Sequence, residues 1–240
     1  MRRFGLIGHP LGHSFSQKYF TEKFAREQLE ATYDLFDIGL EEFPMVAAIP
    51  GMTGLNVTIP YKETVIPLLD DLDTVAATVG AVNTIKVMAG GRLKGYNTDV
   101  VGFEVLLNQS GFSGGKALVL GTGGASKADR YVLEQRGVEV GMVSRDKRKG
   151  DYEYGALDAA VIEDHLLIVN TTPLGMAPQV ETAPRIPYEA IGDQHMLIDL
   201  VYNPEETAFL CRGRAQGAKT YNGLTMLRAQ AEASFHIWFL

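Results

Sequence analysis

A chain of 240 residues, 46% hydrophobic and 21% charged, has the composition of a folded globular protein and room for two modest domains. Its 22 basic and 29 acidic residues leave a net charge of −7, which excludes a protein that tracks nucleic-acid phosphates by basic excess. The single cysteine, Cys211, excludes an intrachain disulfide and a cysteine zinc site, and no apolar run reaches the roughly 20 residues that span a bilayer.

In chain order the pattern alternates strands and helices. Residues 3–7 form an apolar run ending at Gly8 and predict a strand; this run is too short for a signal peptide, so the expected compartment is the cytoplasm. Residues 18–29 carry a helical stripe of Tyr19, Phe20, Phe24 and Leu29. A strand is expected over 32–38, a helix over 41–49 with Pro44 in its first turn, a strand over 55–59 and a short helix over 62–69. Residues 82–88 and 92–97 predict a hairpin around Ala89-Gly90-Gly91, and 98–110 a helix. Past a Gly- and Ser-containing loop at 110–115, a second unit opens with a strand over 117–120, a glycine-rich turn and a helix over 125–136. Strands follow at 138–143, 166–170 and 196–201, and helices at 205–216 and 225–238. Apolar strand runs separated by helices predict a parallel sheet buried on both faces.

The turn Gly121-Thr122-Gly123-Gly124-Ala125-Ser126 lies between a strand and a helix, where glycine lets a pyrophosphate approach backbone N–H groups at a helix start. The third fingerprint position is Ser126 rather than Gly or Ala, and a ligand-free tight turn reads the same way. The next strand ends at Ser144-Arg145-Asp146-Lys147-Arg148-Lys149. A guanidinium there suits a 2′-phosphate, so Arg145 favours NADP over NAD, while Asp146 beside it points either way.

Polar residues crowd the loops of the first half. Ser14 and Ser16 follow His13, Asn56 and Thr58 alternate along a strand, and Lys62 comes shortly after. Asn83 and Thr84 interrupt an apolar run, and Asn97-Thr98-Asp99 opens a helix. Such a set suits a small polyhydroxylated acid, with a lysine able to carry a proton. Taken singly, each also reads as a cap, turn or surface residue.

Together these stretches resemble the shikimate dehydrogenase family. The likeness rests on 5–16 with Ser14 and Ser16, Gly54-Leu-Asn56-Val-Thr58-Ile-Pro-Tyr-Lys62, Gly80-Ala-Val-Asn83, Gly95-Tyr-Asn97-Thr-Asp99 and the glycine loop. It continues through Asn170-Thr-Thr-Pro173, Asp199-Leu-Val-Tyr202-Asn-Pro204 and Gly223-Leu-Thr-Met226-Leu-Arg-Ala-Gln230. The resemblance implies a two-domain α/β fold. A shikimate-binding domain is expected over 1–100, a Rossmann-like NADP domain over 101–222, and C-terminal helix 223–240 returning to the first domain. It implies reversible reduction of 3-dehydroshikimate by NADPH, a step toward chorismate and the aromatic amino acids.

By that likeness Lys62 and Asp99 form the catalytic pair, with Lys62 the proton donor. Ser14 and Ser16 hold the substrate carboxylate; Asn56, Thr58, Asn83, Asp99 and Gln230 bind its ring hydroxyls; Tyr202 borders it. Gly121, Gly123, Gly124, Ala125, Ser144, Arg145 and Thr171 are expected on NADP, with Leu200, Gly223 and Met226 at the nicotinamide. No metal is expected, since the five histidines show no ligand spacing, and His13 is read as shaping its loop. A monomer or weak homodimer is expected, with no nucleic-acid or membrane partner. The alternatives are a quinate/shikimate dehydrogenase of broader specificity and a non-catalytic dinucleotide-binding sensor.

Three features depart from the family pattern. Only 23 steps separate Arg145 from Ile168, too few for a full second crossover, so the helix after the second strand of the cofactor sheet is expected to be missing or a stub. Gln17 stands where a proline is usual. Asp129 falls on the sheet-facing arc of helix 125–136 with Ala125, Ala128, Val132 and Leu133, where a small apolar residue is expected.

Overall fold

The computed structural model describes residues 1–12 and 14–239; the reading of His13 lies outside them. The chain divides into two compact units. One comprises Met1–Thr98 and Ala231–Leu240, the other Asp99–Gln230.

The first unit runs β1 (Arg2–Gly8), α1 (Phe15–Arg26), β2 (Ala31–Asp37), α2 (Phe43–Ala47), β3 (Met52–Val57), β4 (Asp71–Leu72), α3 (Thr74–Val79), β5 (Thr84–Val87) and β6 (Leu93–Tyr96). Its sheet has the order β2-β1-β3-β5-β6-β4. Strands β2 and β3 flank β1 in parallel, and β5 and β6 form the expected antiparallel hairpin. Strand alternation sorts the core. Phe4 and Leu6 pack with Phe20, Phe24 and Trp238, while Ile7 lies on the opposite face with Phe43, Leu55, Val57 and Ile85.

The helix expected over 62–69 is instead a set of turns closed by a 3-10 turn at Ile66–Leu68. Pro67 has no N–H to give the carbonyl four residues back, so an α-helix cannot continue there. Pro44 similarly sits at the start of α2, and the residues before it, Leu40–Glu42, form a 3-10 turn. Helix α3 is too short to show a periodic stripe, although its end signals are local: Asp73 caps the Ala76 N–H at 2.8 Å, and Gly80 ends it in the left-handed region.

The second unit runs α4 (Asp99–Ser110), β7 (Lys116–Leu120), α5 (Gly124–Gln135), β8 (Glu139–Ser144), β9 (Tyr152–Glu153), α6 (Ala159–Asp164), β10 (Leu167–Asn170), β11 (Met196–Asp199), α7 (Ala208–Ala215) and β12 (Lys219–Asn222). Its pairings are all parallel, in the order β9-β8-β7-β10-β11-β12. Counted within the unit this is 3-2-1-4-5-6, the Rossmann order. Leu118, Leu120, Val143, Ile168 and Leu197 are fully buried, as a sheet covered on both faces requires. Between β8 and β9 there is no helix. The turn folds back on β8, where Asp151 donates its N–H to the Met142 carbonyl at 2.8 Å and its carboxylate accepts the Met142 N–H at 2.9 Å. Asp129 is fully buried on α5 beside Ala128, Val132 and Leu133, on the arc read from its spacing.

A last helix, α8 (Leu224–Phe239), contributes to both units, the division falling after Gln230. From Ala231 onward it is bound into the first unit: Lys23 donates to Glu232 at 2.9 and 3.1 Å, and the Trp238 indole to the Ile85 carbonyl at 3.0 Å.

Candidate active site

In the first unit the polar residues of β3 and β5 meet in a buried frame. Asn56 accepts from the Tyr33 hydroxyl at 2.8 Å. Its amide hydrogens face three acceptors: the Asn83 carbonyl at 3.2 Å, the Thr84 hydroxyl at 3.2 Å and the Ser234 hydroxyl at 3.0 Å. The Asn83 side-chain carbonyl accepts the Thr98 N–H at 2.7 Å and the Thr98 hydroxyl at 3.1 Å. Asn97 donates to the Ala81 carbonyl at 2.9 Å. Burial pushes the Tyr33 phenol above its ordinary pKa, opposed by a hydrogen bond with Ser16. The frame works only because each group meets a partner away from water.

Two of its members, Tyr33 and Ser234, have no signal in the sequence that marks them for the frame. Tyr33 reads as an ordinary strand residue, and Ser234 is brought in from a helix 150 residues beyond Thr84. Asn56→Ala is expected to destabilise the protein by about 2–4 kcal/mol, because it strips partners from several buried groups at once. Urea denaturation reads this directly; a loss below about 1 kcal/mol contradicts it.

The other candidates of this unit line the loops next to that frame. The loops after β1 and β3 lie side by side, since Ile7 pairs with Val57 and the Thr58 N–H donates to the Ile7 carbonyl at 3.0 Å. The first carries Ser14 and Ser16, where Ser14 caps α1 by accepting the Gln17 N–H at 3.4 Å. The second carries Thr58 and Lys62. All four are partly exposed. Lys62 is tied back to the frame through its carbonyl, which accepts the Val82 N–H at 2.7 Å. Asp99 follows Thr98 in the chain and opens α4 with 5% of its surface exposed.

In the second unit the glycine turn leaves β7 beside β10, at the point where the strand order reverses. Gly121 has φ +120°, a conformation that suits glycine, and an added Cβ would lie 2.5 Å from the Thr171 hydroxyl. Gly123 caps α5 without a side chain, leaving the first-turn N–H groups of Gly124 and Ala125 uncapped by any side chain, and space beyond Gly123 is open. Ser126 is fully buried and donates to the Gly123 carbonyl at 2.7 Å, so the departure at the third fingerprint position is absorbed inside the turn. Thr171 donates to the Leu120 carbonyl at 2.7 Å and ties the two loops together. These donors and this open backbone fit a dinucleotide pyrophosphate. Ser144 and exposed Arg145 lie at the end of β8, one strand away.

Leu200 and half-buried Tyr202 follow β11. Gly223 lies so close to the Leu200 carbonyl that a side chain cannot be accommodated, and Met226 is buried one turn into α8 with its carbonyl against Gly102. The Gln230 side chain donates to the Leu227 carbonyl at 3.1 Å. Leu200 and Tyr202 are set by Asp199, to which the sequence assigns no role of its own. Its carboxylate is fully buried and accepts from Asn170 at 3.0 Å, the Val201 N–H at 3.0 Å and the Thr207 hydroxyl at 2.5 Å. It thus joins the loops after β10 and β11 to the start of α7. Burial raises its pKa from the ordinary 3.8 to about 6, against those three hydrogen bonds. Between these pH values the folded state holds more protons than the unfolded one, so stability falls as pH rises through this window, by about 3 kcal/mol in total. Asp199→Asn is expected to flatten that slope in denaturation measurements from about pH 4 to 7; an unchanged slope contradicts the assignment.

A family model described as the shikimate dehydrogenase substrate binding domain matches residues 6–85. The shikimate dehydrogenase (NADP(+)) of Halothermothrix orenii is 39% identical, covering 98% of this chain and 89% of its own; that of Carboxydothermus hydrogenoformans is 38% identical, covering 98% and 90%. The crystal structure of the Thermus thermophilus shikimate 5-dehydrogenase in complex with NADP(H) and shikimate superposes with a TM-score of 0.89 at 33% identity, covering 99% of this chain and 93% of that one. A quinate dehydrogenase from Corynebacterium glutamicum in complex with NAD gives a TM-score of 0.88 at 27% identity, covering 99% and 93%. Identity at this level over nearly the whole chain does not arise from a shared fold alone: the protein belongs to the shikimate dehydrogenase family.

Proposed function

We propose that this chain is an NADP-dependent shikimate dehydrogenase that reversibly reduces 3-dehydroshikimate to shikimate, the oxidoreductase step toward chorismate and the aromatic amino acids. The observation that carries the reading is Lys62, held by its carbonyl to Val82 at the edge of the buried Asn83 frame and partly exposed on the loop after β3, which runs alongside the loop after β1. NADPH supplies the hydride. Lys62 stabilises the charge that develops on the carbonyl oxygen and delivers the proton. Asp99, joined directly to Thr98, orients the lysine and accepts from a ring hydroxyl. Ser14 and Ser16 bind the carboxylate, and Thr58, Asn83 and Gln230 the remaining hydroxyls. Asn56, whose amide is occupied within the frame, acts by fixing Asn83 and Thr84. The glycine turn with Thr171 holds the pyrophosphate, Ser144 and Arg145 the 2′-phosphate, and Leu200, Tyr202, Gly223 and Met226 border the nicotinamide and substrate.

No helix among the described residues is long and apolar enough to cross a membrane. The reading places the enzyme in the cytoplasm, as a monomer or weak homodimer. Absorbance of reduced nicotinamide, followed with shikimate and with quinate, each with NADP and with NAD, tests the function. Turnover with shikimate and NADP is expected to exceed the other three combinations. Equal or better turnover of quinate supports the broader dehydrogenase instead, and binding without turnover of either acid rejects an enzyme.

A further inference from the structure

At the end of β8 a carboxylate and a guanidinium stand next to each other in sequence with opposite consequences for the cofactor. After the second strand of a Rossmann sheet, a carboxylate accepts from the ribose 2′-OH and repels a 2′-phosphate, whereas an arginine attracts that phosphate. Here both Asp146 and Arg145 are present. The structure separates them. Asp146 Oδ1 accepts from the Arg148 N–H at 3.1 Å and from Arg148 Nε at 3.0 Å, and its Oδ2 accepts from Arg148 Nη2 at 3.0 Å. Both carboxylate oxygens are therefore taken by one forked guanidinium two residues away. The Asp146 N–H donates to the Ser144 hydroxyl at 3.1 Å, and its carbonyl accepts from the Lys149 N–H at 2.9 Å, so the turn that presents the carboxylate is pinned on both sides. Arg145 is exposed and makes no ion pair among the described residues.

We infer that Arg148 sets the preference for NADP by occupying the carboxylate of Asp146, which otherwise reads the 2′-OH of NAD, and so leaves Arg145 to receive the 2′-phosphate. The inference rests on the proposed dehydrogenase function and deepens it. Stability does not account for the pair: the Arg148 side chain is 88% exposed, and ion pairs at such positions contribute little to folding. Arg148 holds Asp146 below the ordinary carboxylate range, in keeping with the forked contact. No helix follows β8, and the aspartate and its arginine share the turn that the Lys149 N–H closes on the Asp146 carbonyl.

Binding measurements without substrate test this, using NADPH, NADH, 2′,5′-ADP and 5′-AMP as titrants with the wild type, Arg148→Ala, Asp146→Asn and the double variant. Arg148→Ala is expected to weaken NADPH and 2′,5′-ADP by roughly tenfold, the scale of repulsion between a phosphate dianion and an uncovered carboxylate several ångströms away. NADH and 5′-AMP should be unchanged or tighter. In the Asp146→Asn background the same replacement should have less than about one third of that effect, because nothing remains to be covered. The wild-type preference should also decline with added salt, as exposed charges are screened. A full loss from Arg148→Ala in the Asp146→Asn background overturns the proposal, since Arg148 then touches the phosphate itself. Equal losses for the phosphorylated and unphosphorylated ligands also overturn it. Failure of the underlying function reads differently: a wild type that binds the titrants but turns over neither acid is not the dehydrogenase, and one that binds none of the four is not a dinucleotide-binding protein.

Discussion

Replacing Lys62 by alanine is expected to lower kcat for shikimate oxidation by roughly 10²–10⁴, with a much smaller change in KM. In the reduction direction, hydride reaching a carbonyl carbon leaves negative charge on the oxygen, and in the reverse direction that oxygen must lose its proton. A group that serves only at that moment contributes to the transition state and little to the ground state. Lys62 has the placement for it. Its backbone is fixed by the bond from Val82, one residue before Asn83, and the residue remains partly exposed. The substrate contacts proposed for Ser14, Ser16 and Thr58 stay in place in the variant, which is why KM should hold. Steady-state kinetics in both directions, with a thermal melt to confirm the fold, is the check. A variant that keeps more than half of the normal kcat removes Lys62 from the mechanism.

Arg145→Ala is expected to weaken NADPH by about 1.5–3 kcal/mol, the scale of a hydrogen bond to a charged group, and to leave NADH nearly unchanged. Arg145 is exposed just past the end of β8, two residues beyond Val143, whose carbonyl accepts the Gly121 N–H of the glycine turn at 2.9 Å. Its neighbour Asp146 is already held by Arg148, so Arg145 is not drawn into an internal pair. Titration of both cofactors by fluorescence distinguishes the outcomes. Equal losses for the two assign Arg145 to the shape of the turn rather than to the 2′-phosphate.

Much of the architecture is legible because its signals are local. The apolar runs of β7, β10 and β11 with helices between them indicate a parallel sheet, and the chain length after Arg145 leaves no room for the missing crossover helix. The arc of α5 places Asp129 toward the sheet by spacing alone, and burial follows. Strands β4 and β9 escape such a reading because two residues carry no periodic signal, and β12 (Lys219–Asn222) because it lacks the apolar run of β10 and β11; neighbouring strands rather than propensity define all three.

The site divides along the same line. By itself the sequence determined which chemistry-bearing residues the protein has, since a motif such as 54–62 or 121–126 is contiguous and needs only its own turn or strand to be recognised. It determined as well that Arg145 and Asp146 compete at the end of β8. Tertiary structure alone decided which of these groups are occupied. Asn56 is saturated by Tyr33, Thr84 and Ser234, Asp199 is buried among Asn170, Val201 and Thr207, and Asp146 is covered by Arg148. Hydrogen bonding and desolvation depend on atoms a few ångströms apart in space, and sequence separation carries no record of that distance when, as between Thr84 and Ser234, it runs to 150 residues.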